Sequence, residues 1–120
     1  MSAPHVLLVE DNELVTGALQ ILLESAGARV SVAHTIAEAI GVANRDAPEL
    51  VLLDLTLPDG DGLQLVEPLR VAGAKMFVAL TGHDDAATRA RCLEAGCIDV
   101  VVKPPRAREL VQKVLTWTES

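Results

Sequence analysis

Five short, almost wholly apolar runs punctuate this sequence: His5–Val9, Ala28–Ala33, Leu50–Leu53, Lys75–Leu80 and Ile98–Val102. Between them lie segments with apolar residues at helical spacing, so strand and helix alternate five times along the chain. A strand that is apolar on both faces must be covered on both faces, as helices cover a parallel sheet. Right-handed crossovers then leave one architecture, an open, doubly wound α/β sheet. The 120 residues make one domain, and with half of them hydrophobic the chain can bury a proper core.

The punctuation between the runs sets the element ends. Asp11 or Asn12 can cap a first helix, with Glu13 in its favourable first turn and Gly27 as its stop. Val15, Ala18, Leu19, Leu22 and Ala26 are expected to form that helix's inner face, leaving Leu14, Gly17 and Ile21 as a second stripe. Thr35-Ile36-Ala37-Glu38 has capping-box spacing and opens a second helix running to about Arg45. A third helix is expected over Leu63–Ala72, where Pro68 removes a backbone donor and predicts a kink or a late regular start. A fourth spans Ala86–Ala95 behind Asp84 or Asp85. The last begins near Arg106 and carries Leu110, Val111, Val114, Leu115 and Trp117 inward.

Function is written at the strand ends. Glu10 and Asp11 follow the first strand, Asp54 the third, Thr81 the fourth and Lys103 the fifth. In an open parallel sheet all carboxyl ends face one edge, so these five side chains converge on a crevice. Three carboxylates there repel one another unless a hard divalent cation joins them; Mg²⁺ takes oxygen ligands and keeps waters for an incoming phosphate. Lys103 adds an ammonium and Thr81 a hydroxyl suited to phosphoryl oxygens. Such a set suits phosphoryl transfer onto a carboxylate, and Asp54, on the central strand, is the nucleophile it points to.

Other classes fit less well. A net charge of −7 argues against direct nucleic-acid binding. No apolar run approaches the ~20 residues of a membrane helix, and the first residues lack a secretory-signal layout, so a cytoplasmic protein is expected. Cys92 and Cys97 are spaced too irregularly for a metal or redox pair and read as small packing residues. A metal-dependent aspartyl-phosphate phosphatase wants a second Asp two residues beyond the nucleophile, where Thr56 stands. A flavin carrier wants a hydroxyl- and glycine-rich phosphate loop, where Glu10-Asp11 would repel the phosphate.

Taken together, Val9-Glu10-Asp11-Asn12, Leu53-Asp54 through Pro58-Asp59-Gly60-Asp61-Gly62, Leu80-Thr81-Gly82 and Val102-Lys103-Pro104 resemble the chemotaxis-regulator-like receiver domain of two-component response regulators, whether stand-alone or part of a longer chain. The resemblance spans essentially residues 1–120. It implies a flavodoxin-like (βα)5 fold with strand order 2-1-3-4-5 and a signalling switch rather than a turnover enzyme. It further implies phosphorylation of Asp54 by a phosphohistidine of a sensor kinase or histidine phosphotransfer protein. Glu10, Asp11, Asp54 and the Thr56 carbonyl would hold Mg²⁺, Thr81 and Lys103 would bind phosphoryl oxygens, and the Lys103–Pro104 peptide would be cis. An interaction module that is never phosphorylated is the alternative.

Three positions depart from the family pattern. Val100 and Pro105 stand where aromatic residues are usual, which puts the family's readout through the fourth helix, fifth strand and fifth helix in question, and Pro68 falls within the third helix. Phe77 and Trp117 are the only aromatic residues. Thr56 and His83 occupy the two places where family members tune phosphate lifetime. His83 reads either as a group orienting attacking water or as a solvated loop residue. The Leu14–Gly17–Ile21 stripe reads either as a dock for the partner's helices or as scattered surface residues. The sequence runs out soon after the fifth helix, so no output domain is expected within it.

Overall fold

The computed structural model describes residues 3–119. Its main sheet contains β1 (His5–Val9), β2 (Arg29–Ala33), β3 (Leu50–Asp54), β6 (Met76–Thr81) and β7 (Asp99–Val102). All neighbours run parallel in the order β2-β1-β3-β6-β7, which is the expected 2-1-3-4-5 when these five strands are counted alone. A small antiparallel ribbon, β4 (Thr56–Leu57) with β5 (Gly60–Asp61), fills the loop after β3 and was not foreseen. With only two residue pairs it is too short to carry a periodic signal.

Alternation along the strands divides the core into two layers. Leu7, Val9, Val51, Leu53, Phe77 and Ala79 face α2 (Ile36–Arg45), α3 (Val66–Val71) and α4 (Ala86–Ala95). Val6, Leu8, Leu50, Leu52, Val78 and Leu80 face α1 (Glu13–Ser25) and α5 (Ala107–Thr118). Both faces of every inner strand are thus dry, which is why these strands read as unbroken apolar runs.

The caps follow local chemistry. Asn12 Oδ1 accepts from the N–H of Leu14 and Val15 at the start of α1. Thr35 Oγ1 accepts from Glu38 N at 3.1 Å, and two backbone N–H groups of α2's first turn, those of Ile36 and Ala37, go to the Asp59 carboxylate. Those bonds hold the Asp59 carboxyl below its usual range. The reciprocal half of the capping box is displaced by one residue, since Glu38 reaches His34 N rather than Thr35 N. Asp85 caps α4, and Gly96 ends it at φ 115°, where a side chain would be strained.

One expectation needed adjustment. The inner face of α1 is Val15, Thr16, Leu19 and Leu23, whereas Ala18, Leu22 and Ala26 are exposed. The true row steps four residues from Leu19 to the bulky Leu23 instead of toward small Ala26, and Thr16 rides inward with its hydroxyl donating to Glu13 O. The segment Leu63–Ala72 shows the late regular start that Pro68 predicts. A 3-10 turn over Gly62–Leu65 precedes α3, so Pro68 falls in the first turn of the α-helix, where no intrahelical partner for its nitrogen is needed.

Candidate functional site

The carboxyl ends of β1, β3, β6 and β7 open into a crevice of about 940 Å³, and Glu10, Asp11, Asp54, Thr56, Thr81 and Lys103 all line it. Each is delivered by the sheet. Glu10 N continues the ladder past β1 by donating to Ala33 O, and Leu55 N donates to Leu80 O just beyond Asp54. Lys103 N donates to Thr81 O at 2.7 Å, which fixes the lysine's root beside the threonine. The peptide that follows, Lys103–Pro104, is cis.

At the floor, Lys103 Nζ donates to Asp54 Oδ2 at 2.9 Å and to Glu10 Oε2 at 3.0 Å. Asp54 and Glu10 are almost fully buried, so the ammonium offsets charges that would otherwise be costly to hold there. The other Asp54 oxygen, Oδ1, accepts from Thr56 N at 3.2 Å. Asp11 is exposed at the rim, yet one carboxylate oxygen from each of Glu10, Asp11 and Asp54 lies within 4.8 Å of the others.

Electrostatics follow from this packing. Burial pushes the Glu10 carboxyl up, the Asp54 charge adds to the rise, and hydrogen bonds from Lys103 and Asn12 N oppose it. For Lys103 burial pulls downward, but the hydrogen bonds to Asp54 and Glu10 prevail and raise its ammonium above the usual lysine range. The group therefore stays cationic, which suits an anion-binding role.

Thr81 is buried, and its Oγ1 accepts from His83 N at 3.0 Å. His83 is exposed and lines the crevice, as expected for a residue beside the site. Val100 is buried against the layer beneath α4, so no side chain of aromatic size occupies that slot. Cys92 and Cys97 are both free and buried in the same layer, consistent with packing residues.

Two crevice residues escaped the sequence reading. Thr88 and Arg91 stand one turn apart on α4, and both line the crevice. Arg91 Nη1 donates to Asp61 Oδ2, while Asp61 Oδ1 accepts from Leu63 N at 2.9 Å and caps the 3-10 turn. The signal was available as an i, i+3 pair on the helix that follows the Thr81 strand, but that spacing alone does not say which way the face turns.

The comparisons agree with this geometry. Residues 6–115 match the family model "Response regulator receiver domain". The chain belongs to that family. It is 37% identical to Sensor protein GacS of Pseudomonas syringae pv. syringae, across 97% of this chain and 14% of that protein. It is 35% identical to the KDP operon transcriptional regulatory protein KdpE of Escherichia coli, across 83% of this chain and 44% of that protein. Against the swarming motility regulation protein RssB of Serratia marcescens the identity is 38%, covering 92% and 51%. The receiver chain thus spans about half or less of these relatives.

Among solved structures, a two-component response regulator from Clostridium difficile superposes with a TM-score of 0.89 at 25% identity, covering 95% of this chain and 94% of that one. A putative response regulator from Chloroflexus aurantiacus gives 0.86 at 28%, covering 97% and 98%. The flavodoxin-like fold and the place of this receiver in two-component signalling follow from these matches. No helix among the described residues is long and apolar enough to cross a membrane.

Proposed function

We propose that residues 1–120 form a single phosphoacceptor domain that switches by phosphorylation of Asp54, receiving the phosphoryl group from a phosphohistidine of a sensor kinase or histidine phosphotransfer protein. The observation that carries the reading is the placement of Lys103 Nζ between Asp54 Oδ2 and Glu10 Oε2 at the floor of an open crevice. An ammonium in that position is ready to meet the oxygens of a phosphoryl group arriving on Asp54.

In the step, an Asp54 carboxylate oxygen attacks phosphorus, the phosphorus–nitrogen bond to imidazole breaks, and an acyl phosphate remains. Thr56 N holds Asp54 Oδ1, leaving Oδ2 as the oxygen that exchanges its Lys103 contact for phosphorus. Lys103 then neutralises charge on the phosphoryl oxygens, and the Thr81 hydroxyl turns from His83 N to donate to one of them. No side chain accepts a proton in this scheme, so beyond the Asp54 nucleophile the chain contributes positioning and charge. It stays a signalling switch that helps make and hydrolyse its own acyl phosphate, not a turnover enzyme.

The donor set fits a hard divalent cation: three carboxylates whose oxygens cluster within 4.8 Å, two of them buried. Glu10, Asp11, Asp54 and the Thr56 carbonyl would hold Mg²⁺, which would supply positive charge to the phosphoryl oxygens. His83 and Thr56, both lining the crevice, are placed to set the lifetime of the product. The exposed Leu14 and Ile21 on α1 offer the partner's helices an apolar dock. A cytoplasmic setting, with neither nucleic acid nor membrane as direct partner, accords with the acidic balance.

Intact mass after incubation with acetyl phosphate tests the proposal. One added phosphate is expected with Mg²⁺, none with chelator, and none in Asp54→Asn. Absence of the adduct in the wild type, with Mg²⁺ binding verified by calorimetry, would favour the unphosphorylated interaction module.

A further inference from the structure

The crevice is lined by four carboxylates, those of Glu10, Asp11, Asp54 and Asp61, against two permanently charged cations, Lys103 and Arg91. Even with a divalent cation on three of those carboxylates the charges only cancel, so an anionic phosphodonor meets no net attraction from the crevice as a whole. Lys103 is engaged on the floor by two of those carboxylates. Arg91 is different. It is about half exposed, and its one side-chain hydrogen bond among the described residues goes to Asp61 through Nη1. A guanidinium has five N–H donors in a planar fork that matches phosphate oxygens, so most of that capacity stays free.

The Asp61 contact holds Arg91 without burying it. Asp61 is itself fixed by the Leu63 N–H, which anchors the pair to the loop that follows Asp54. An ion pair this exposed is weak and screened by salt, so a phosphate dianion can draw the guanidinium across without disturbing the fold.

We infer that Arg91 is a donor-binding residue: it leaves Asp61 to receive the anionic group of small acyl-phosphate donors entering the crevice. The inference rests on Asp54 being the phosphoacceptor. It adds a contact on α4 that the five strand-end side chains do not supply, and it ties small-donor use to a residue outside them.

Initial rates of phosphorylation of the whole chain, followed against acetyl phosphate concentration at saturating Mg²⁺, test it. Arg91→Ala is expected to raise the half-saturating concentration about two- to five-fold, the scale of an exposed charge pair. Most of the loss should lie in that concentration dependence rather than in the rate at saturation, and Arg91→Lys should recover part of it. Asp61→Asn keeps the acceptor for Leu63 but drops the charge, so it should lower the half-saturating concentration, and by less in an Arg91→Ala background. The gap between wild type and Arg91→Ala should narrow as salt is added. Arg91→Gln repeats the test should the alanine variant lose stability. An unchanged half-saturating concentration in both variants, in a protein whose wild type is phosphorylated, overturns the role of Arg91 alone. Failure of the wild type to take phosphate at all overturns the underlying reading instead.

Discussion

Gly62 packs so closely against Asp54 that a methyl group on its α-carbon would overlap the Asp54 carbonyl oxygen and lie 2.9 Å from the carbonyl carbon. The approach is locked by Gly62 N donating to Leu55 O at 2.8 Å. The glycine that closes the loop after β3 therefore sets where the Asp54 backbone sits.

Gly62→Ala should consequently damage the site as well as the fold. Backbone cannot yield as a flexible side chain can, so a loss of about 1–3 kcal/mol is expected from overpacking. Urea unfolding measures it, and acetyl phosphate labelling of the folded variant should be slowed. A variant as stable and as readily phosphorylated as the wild type would mean that the loop accommodates a side chain freely.

Lys103 holds two buried carboxylates, and its removal should expose their mutual repulsion. Lys103→Met is expected to lower stability by about 1–3 kcal/mol, as when a hydrogen-bonded partner of a charged group is lost. Added Mg²⁺ should then raise the melting temperature of the variant more than that of the wild type, because the cation replaces the missing positive charge. Equal Mg²⁺ stabilisation of the two proteins would contradict the account. Thermal melts with and without Mg²⁺ decide it.

Burial and the neighbouring Cys92 push the Cys97 thiol up to about 12 from an ordinary value near 9.0. A folded-state value above the unfolded one stabilises the fold below the unfolded value and loses that contribution as pH climbs through the folded one. Denaturant midpoints should accordingly fall as pH rises from near 9 toward 12, more steeply than in a Cys92→Ala/Cys97→Ala variant. Iodoacetamide should label Cys97 only once the chain unfolds.

Leu14 and Ile21 are 86% and 67% exposed on α1, while Leu19 and Leu23 hold the helix to the sheet. Leu14→Glu and Ile21→Glu should therefore leave stability within about 0.5 kcal/mol. Phosphotransfer from a histidine phosphotransfer domain that phosphorylates the wild type should slow, while acetyl phosphate labelling stays unchanged. Unaltered transfer in both variants would remove the dock from α1.

Much of this was legible beforehand because each signal was local. The five strands announced themselves as apolar runs, and the crevice followed from what stands at their ends, with no need to know a single contact. The caps at Asn12, Thr35 and Asp85 were likewise short-range chemistry. What stayed hidden depended on orientation or on distant partners. Whether α1 turns Leu22 or Leu23 inward is a rotation that a 3.6-residue period leaves nearly degenerate. The Asp59 carboxylate meets α2 across more than twenty residues, and Arg91 meets Asp61 across 30, pairings that no local pattern announces.

Borohydride reduction of the acetyl phosphate-treated protein, followed by peptide mass mapping, tests the central claim most directly. Reduction of an aspartyl phosphate leaves homoserine at the phosphorylated position. The account predicts homoserine at residue 54 alone, formed with Mg²⁺ and lost with chelator. Homoserine at Asp11, Asp59 or Asp61 in place of Asp54, or none anywhere in a protein that binds Mg²⁺, would contradict it.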